Sequence, residues 1–226
     1  MQLIFDILRT EKNTGRQYRQ EIELDTAVLG ADEKKATVAT ALRYLDKSSD
    51  TRVAWDCGCL QRRCGTCAMV INKRPALACD ARLAACAKKG RIRIEPLGKF
   101  PVIEDLRVDR TILQEHLKSY RMWQDGTRAD SAVQHRDVVY EASRCLQCGL
   151  CLEVCPNYYT GGRFFGTATA VPAARLFGLG GDRRKEYGRH VYAGCGKSLS
   201  CRNICPAGID VDALLARNNR QLWGRQ

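Results

Sequence analysis

Long apolar runs are missing from this 226-residue chain. None approaches the roughly 18–20 consecutive apolar residues that a membrane-spanning helix requires, and the mean hydropathy of −0.35 suits a water-facing surface. The first residues, Met1 to Arg9, include Asp6 and read as a strand, so no secretory leader is expected. A glycine-rich phosphate-binding fingerprint is absent, as is any evident acid–base constellation. Nucleotide binding and substrate chemistry are therefore not expected of this chain itself.

Cysteine, by contrast, is abundant, at thirteen residues. Cys145-x2-Cys148-x2-Cys151-x3-Cys155-Pro156 has the spacing of a bacterial ferredoxin run, in which close thiolates hold one iron–sulfur cluster and the last reaches another. Fifty residues on, Cys195-x5-Cys201-x3-Cys205-Pro206 repeats it, with Ser198 in place of the second cysteine. Upstream, Cys59-x4-Cys64-x2-Cys67 followed by Cys79 has the plant-type [2Fe–2S] spacing. Such a chain moves electrons. Disulfides are the alternative, but without a leader, and with Cys-x2-Cys pairs too tight for routine pairing, metal ligation in a reducing compartment is the better account.

A cubane cluster needs thiolates converging from several directions. By the crossover rule, Cys145, Cys148 and Cys151 bind a [4Fe–4S] cluster completed by Cys205, while Cys195 and Cys201 bind another completed by Cys155. That second set has only three thiolates, and a serine hydroxyl is a poor iron ligand beside them. A [3Fe–4S] cluster is the natural consequence, with a serine-ligated [4Fe–4S] the alternative. Cys59, Cys64, Cys67 and Cys79 take the [2Fe–2S] cluster, and Gly65 leaves room for backbone to approach the sulfides. Cys57 is read as an unligated neighbour and Cys86 as a small packing residue. His116, His135 and His190 lie outside every motif, leaving a Rieske site unsupported.

The formal charge of +12 invites a nucleic-acid reading. It counts ligating thiols as neutral, whereas three oxidised clusters of about −2 each lower the total to about +6. Arg183-Arg184-Lys185, and the stretch from Lys88-Lys89 to Arg93, then read as solvated faces or a docking surface for an acidic partner or anionic headgroups. No nucleic-acid partner is expected. A basic zinc module docking nucleic acid is the bland alternative, but zinc does not explain four-cysteine runs ending in proline.

The pattern predicts an α+β chain: a β-grasp [2Fe–2S] ferredoxin-like domain at 1–103, then an all-helical two-cluster domain at 104–226. Leu3, Phe5 and Ile7 alternate, Asn13-Thr14-Gly15 turns, and Ile22 and Leu24 resume. Val38, Ala41, Leu42 and Leu45 have helical spacing behind a Thr37 cap. After the loop from Trp55 to Cys67, strands are expected at Ala68 to Ile71, Pro75 to Cys79 and Arg91 to Ile94, with Asn72-Lys73 as a turn. Helices are expected over Val108 to Trp123, through Val133, Val138 and Val139, after Pro172, and over Asp210 to Leu222. Gly161-Gly162 and Gly178 to Gly181 read as flexible connections.

Cys59-x4-Cys64-Gly65-Thr66-Cys67-Ala68-Met69, Leu77-Ala78-Cys79, Ile94-Glu95-Pro96-Leu97 and Pro101-Val102-Ile103-x-Asp105-Leu106-x-Val108-Asp109, with both cysteine runs, follow in order. Together they resemble the iron–sulfur subunit of succinate dehydrogenase and fumarate reductase (respiratory complex II), over nearly the whole chain. The resemblance implies an FAD-carrying flavoprotein partner with the dicarboxylate site. It also implies membrane anchor subunits, with or without haem b, that help bind quinone. Electrons would pass between flavin and quinone through [2Fe–2S], [4Fe–4S] and [3Fe–4S]. A relay for another flavoprotein, such as a heterodisulfide-type or soluble fumarate reductase, is the alternative; the end at Gln226 counts against it.

Four departures stand out, the first being Asn157-Tyr158-Tyr159-Thr160 after Cys155-Pro156, where many quinone-reducing members carry a tryptophan-rich stretch. Arg62 occupies a position where the family commonly has glycine, and Asn72-Lys73 stands where Asn-Gly is usual. Gly196 sits where a histidine near quinone is often found. Pro156, Asn157 and Tyr158 are the candidates for the quinone side, with packing around the cluster the alternative. The missing targeting segment points to the cytoplasmic face of a bacterial or archaeal membrane, with a mature organellar chain the alternative.

Overall fold

The computed structural model describes residues 1–30, 35–123, 135–179 and 182–224, which divide into two compact units, Met1–Asp109 and Arg110–Gln226. No helix among the described residues is long and apolar enough to cross a membrane.

The first unit is a five-stranded mixed sheet. Strand β1 (Gln2–Thr10) pairs antiparallel with β2 (Gln17–Asp25), and the alternation of Leu3, Phe5 and Ile7 places all three in the core. Helix α1 (Val38–Leu45) begins where expected. Thr37 Oγ1 accepts from the Thr40 amide while Thr40 Oγ1 accepts from the Thr37 amide, each at 3.2 Å, a reciprocal cap. Its first two amides donate to the carbonyls of Ala81 (2.8 Å) and Ala78 (3.0 Å), fixing the chain on both sides of Cys79.

Strands β3 (Ala68–Ile71) and β4 (Arg74–Leu77) form a hairpin, followed by the short helix α2 (Leu83–Cys86) and strand β5 (Arg91–Glu95). The sheet order is β2-β1-β5-β3-β4, with β1 and β5 parallel at its centre, the β-grasp arrangement. Phe5, Ile7, Ile92 and Ile94 are wholly buried there, each worth about 1.5–3 kcal/mol. The β3–β4 turn puts both Asn72 (φ 49°) and Lys73 (φ 65°) in the left-handed region, as a type I′ turn requires. Asn72 suits that region, and its amide side chain accepts from Arg93 N (2.9 Å) and donates to Cys86 O (2.6 Å).

A hairpin that the sequence reading missed, β6 (Val102–Glu104) and β7 (Arg107–Val108), closes this unit. Asp105 at its tip is buried. Its carboxylate accepts from Arg9 Nε (2.8 Å) and Nη2 (3.0 Å), Thr10 N (3.2 Å) and Ala54 N (2.9 Å). One side chain thus ties the hairpin, β1 and the approach to the cluster loop together.

The second unit is helical. Helix α3 spans Thr111–Ser119, shorter than the expected Val108 to Trp123. Val108 belongs to β7, and Arg121 (φ 54°) turns the chain out of the helix at the other end. Helix α4 (Arg136–Ser143) carries Val138 and Val139; Val133 lies outside the described residues. The short α5 (Leu150–Glu153) follows Gly149.

Helix α6 (Thr167–Gly178) starts five residues before Pro172 rather than after it. It is the core of the unit and packs on α4 and on α8 (Val211–Trp223), with α7 (Arg184–Tyr187) and a π-helical turn over Gly188–Tyr192 between them in sequence. Gly178 of the expected Gly178 to Gly181 connection instead ends α6 as a packing residue, since a Cβ there would lie 2.7 Å from Val139 Cγ2; Gly180 and Gly181 lie outside the described residues. Buried Asn218 crosses from α8 to donate to Ala170 O at 2.8 Å.

Replacing buried Asp105 by Ala leaves the half-buried Arg9 guanidinium without its counter-charge and the amides of Thr10 and Ala54 without their acceptor. Urea denaturation should register a loss of about 3–5 kcal/mol; a loss under about 1 kcal/mol would mean that the hairpin holds without it.

Candidate metal centres

In the first unit the loop after buried Trp55 is shaped by left-handed residues: Leu60 (φ 54°), Arg62 (φ 60°) and Gly65 (φ 75°). For a residue with a Cβ that conformation costs roughly 1–2 kcal/mol. Alternating the hand of the backbone turns successive amides inward, a concavity suited to anions. The amides here point at sulfur. Gln61 N and Arg63 N lie 3.3 and 3.2 Å from Cys59 Sγ, Arg62 N lies 3.4 Å from Cys79 Sγ, and Cys59 N lies 3.4 Å from Cys64 Sγ. Gly58 backs the site closely, since a Cβ there would be 3.1 Å from Cys64 Sγ.

Burial raises the Cys64 thiol, but hydrogen bonds from the Thr66 hydroxyl and from the Cys59 and Thr66 amides outweigh it and hold it at about 6. Cys67 goes the other way. Burial, joined by the like charges of Cys79 and Cys64, pushes it up to about 12. Sulfurs crowded like this cannot all ionise without a cation among them. A positively charged iron core fits that demand. Cys57 is exposed, and Cys86 on α2 is raised by burial alone.

Among the described residues of the chain, the first unit included, no three His, Cys, Asp or Glu side chains gather tightly enough for one bare ion. In the second unit the thiols surround space: Cys145, Cys148, Cys151 and Cys205 line one small cavity of about 30 Å³, walled by Val171, Ile209 and Val211. Gln147 (φ 51°) and Gly149 (φ 84°) are left-handed. The Gln147 side chain donates to Cys145 Sγ (3.2 Å) and to Ala168 O (2.8 Å). That carbonyl is available because Pro172, four residues on in α6, has no N–H to give it. Burial and neighbouring thiols raise Cys148 to about 11 and hold Cys151 well above its ordinary value.

The remaining run repeats the backbone. Lys197 (φ 55°) and Leu199 (φ 53°) are left-handed, fifty residues after Gln147 and Gly149. Burial raises the Cys201 thiol, joined by the charges of Cys155 and Cys195. Ser198 is exposed and its hydroxyl accepts from Ser200 Oγ at 3.3 Å.

Two family descriptions match. Residues 5–115 match a 2Fe-2S iron-sulfur cluster binding domain and residues 141–209 a 4Fe-4S dicluster domain. A succinate dehydrogenase iron-sulfur subunit of Bacillus subtilis is 36% identical over 185 residues, covering 75% of this chain and 72% of that one. The chain belongs to the succinate dehydrogenase and fumarate reductase iron–sulfur subunit family. A fumarate reductase iron-sulfur subunit of Mycobacterium tuberculosis is 30% identical over 221 residues, covering 89% and 88%. A chain of the Mycobacterium smegmatis Sdh1 complex in the apo form shares the fold, with a TM-score of 0.80 at 21% identity over 98% of this chain and 95% of that one.

In this iron–sulfur subunit Gly196 lies against Asn157: a Cβ there would be 2.7 Å from Asn157 Nδ2, the end of an exposed side chain that donates to Gly194 O at 2.8 Å, so a larger residue would require Asn157 to move. Pro156 and Asn157 are exposed while Tyr158 is buried, edge-on to His116 at 6.3 Å. His116 stacks on Phe165 (4.0 Å), which stacks on His190 (4.1 Å). The sequence reading missed that stack, and also the part Gln147 plays beside Cys145. For Gln147 a signal existed: Cys145-x-Gln147-x-Gly149 paired with a proline inside an apolar helix.

Burial, joined by His190, lowers the His116 imidazole to about 4 from its ordinary 6.5. Between those values the unfolded chain holds a proton that the folded one lacks. Stability is therefore full above about pH 6.5 and falls as the pH drops toward 4, by about 3 kcal/mol in all. Urea denaturation at about pH 5.5 should register a loss of about 1 kcal/mol that His116→Phe removes; an equal loss in the variant would contradict this.

Proposed function

We propose that the chain relays single electrons between the FAD of a flavoprotein subunit and a membrane quinone, within a succinate dehydrogenase or fumarate reductase complex. Membrane anchor subunits, with or without haem b, hold it at the cytoplasmic face of the cell membrane. When bound, its clusters each accept and give one electron, which splits the two-electron chemistry of flavin and quinone into single steps.

The observation that carries this reading is the meeting of Cys205 with Cys145, Cys148 and Cys151 around one cavity. A thiolate from the second run closing the site of the first is what a two-cluster ferredoxin arrangement requires. On this reading those four residues hold [4Fe–4S], Cys155, Cys195 and Cys201 hold [3Fe–4S], and Cys59, Cys64, Cys67 and Cys79 hold [2Fe–2S]. Backbone amides around Cys59 and Cys79 and the Gln147 side chain spread the sulfur charge. Hydrogen bonds of that kind favour the more negative, reduced state and so tune potential. Pro156 and Asn157, exposed beside Cys155, provide the quinone side, and buried Tyr158 supports them from within.

The purified complex tests this directly. Succinate added to the oxidised complex without oxygen should bleach its visible iron–sulfur absorption and raise the EPR signal of a reduced [2Fe–2S] centre. Clusters that dithionite reduces but succinate leaves oxidised would contradict the assignment.

A further inference from the structure

Arg62 occupies a conformation that glycine adopts without strain, and the chain nonetheless places a long cation there (φ 60°). Two contacts account for it. Its amide lies 3.4 Å from Cys79 Sγ, and its guanidinium pairs with Asp80 Oδ1 at 3.3 Å. Both reach the same short segment, seventeen residues further along the chain, which carries the cysteine most distant from the other three. The next residue, Arg63, directs its own amide to Cys59 Sγ at 3.2 Å.

We propose that Arg62, braced by Asp80, is a positioning residue that clamps Cys79 to the cluster loop and sets the potential of the [2Fe–2S] centre. The inference rests on the ligand reading above. A cation beside the centre favours its reduced form, which carries one more negative charge, and so raises the potential. Asp80 acts in the opposite sense and holds the guanidinium in place. Both side chains are about half exposed, at 52% and 43%, so salt screens their effect.

The test is a potentiometric titration of the [2Fe–2S] EPR signal in the intact complex, at low and high salt, for wild type, Arg62→Gln, Arg62→Lys, Arg62→Gly and Asp80→Asn. Arg62→Gln and Arg62→Gly should shift the midpoint to lower potential and Asp80→Asn to higher, with Arg62→Lys nearest wild type. All shifts should shrink at high salt. Arg62→Gly relieves backbone strain, so it also separates lost charge from lost folding. Equal shifts in the Lys and Gln variants, or no shift in either, would overturn the proposal. A wild-type complex with no [2Fe–2S] signal would overturn the ligand reading, and this proposal with it.

Discussion

Sulfur charge is the constraint on which the rest of this molecule depends. Thiolates gathered around one loop or cavity repel one another, and each must lose water to approach its neighbours. The chain answers with backbone amides aimed at sulfur, obtained by alternating left- and right-handed residues in the loops. Such loops are strained and cannot hold themselves. In the first unit a β-grasp sheet, a capped helix and the Arg9–Asp105 pair fix the segments on either side. In the second, α6 and α8 form the wall against which the cysteine loops rest.

The second unit carries its device twice. Left-handed pairs recur at an interval of fifty residues, at Gln147 and Gly149 and at Lys197 and Leu199, around cysteine runs with the same spacing. At the position of Cys148 the repeat has Ser198, and the backbone on either side keeps the same hand. The number of thiolates has changed while the frame has not. On the proposed ligand sets, this separates a [4Fe–4S] site from a [3Fe–4S] site within one architecture.

Much of this was legible in the sequence because its strongest signals are local. Alternation at Leu3, Phe5 and Ile7 marked β1, and Thr37 marked the start of α1. The Asn72-Lys73 turn was legible for the same reason. What escaped depends on partners distant in the chain. The β6–β7 hairpin is too short for periodicity to mark, and it is held by Asp105 reaching back to Arg9 and Thr10. Pro172 reads locally as a helix start, and Gln147, twenty-five residues upstream, takes up the carbonyl that the proline leaves without its helical donor. The spacing rule pairs Cys205 with the first run, and Cys205 lines one cavity with those cysteines, but the left-handed backbone at Arg62 and the approach of Asn157 to Gly196 required coordinates.

The central claim is a row of clusters in which one site has only three thiolates. Low-temperature EPR of the oxidised complex, integrated against protein for wild type and Ser198→Cys, tests it most directly. Oxidised [3Fe–4S] is paramagnetic, whereas oxidised [2Fe–2S] and [4Fe–4S] are silent. A near-stoichiometric wild-type signal that the added cysteine abolishes is the predicted result. A silent wild-type sample that develops two [4Fe–4S] signals on reduction would contradict it.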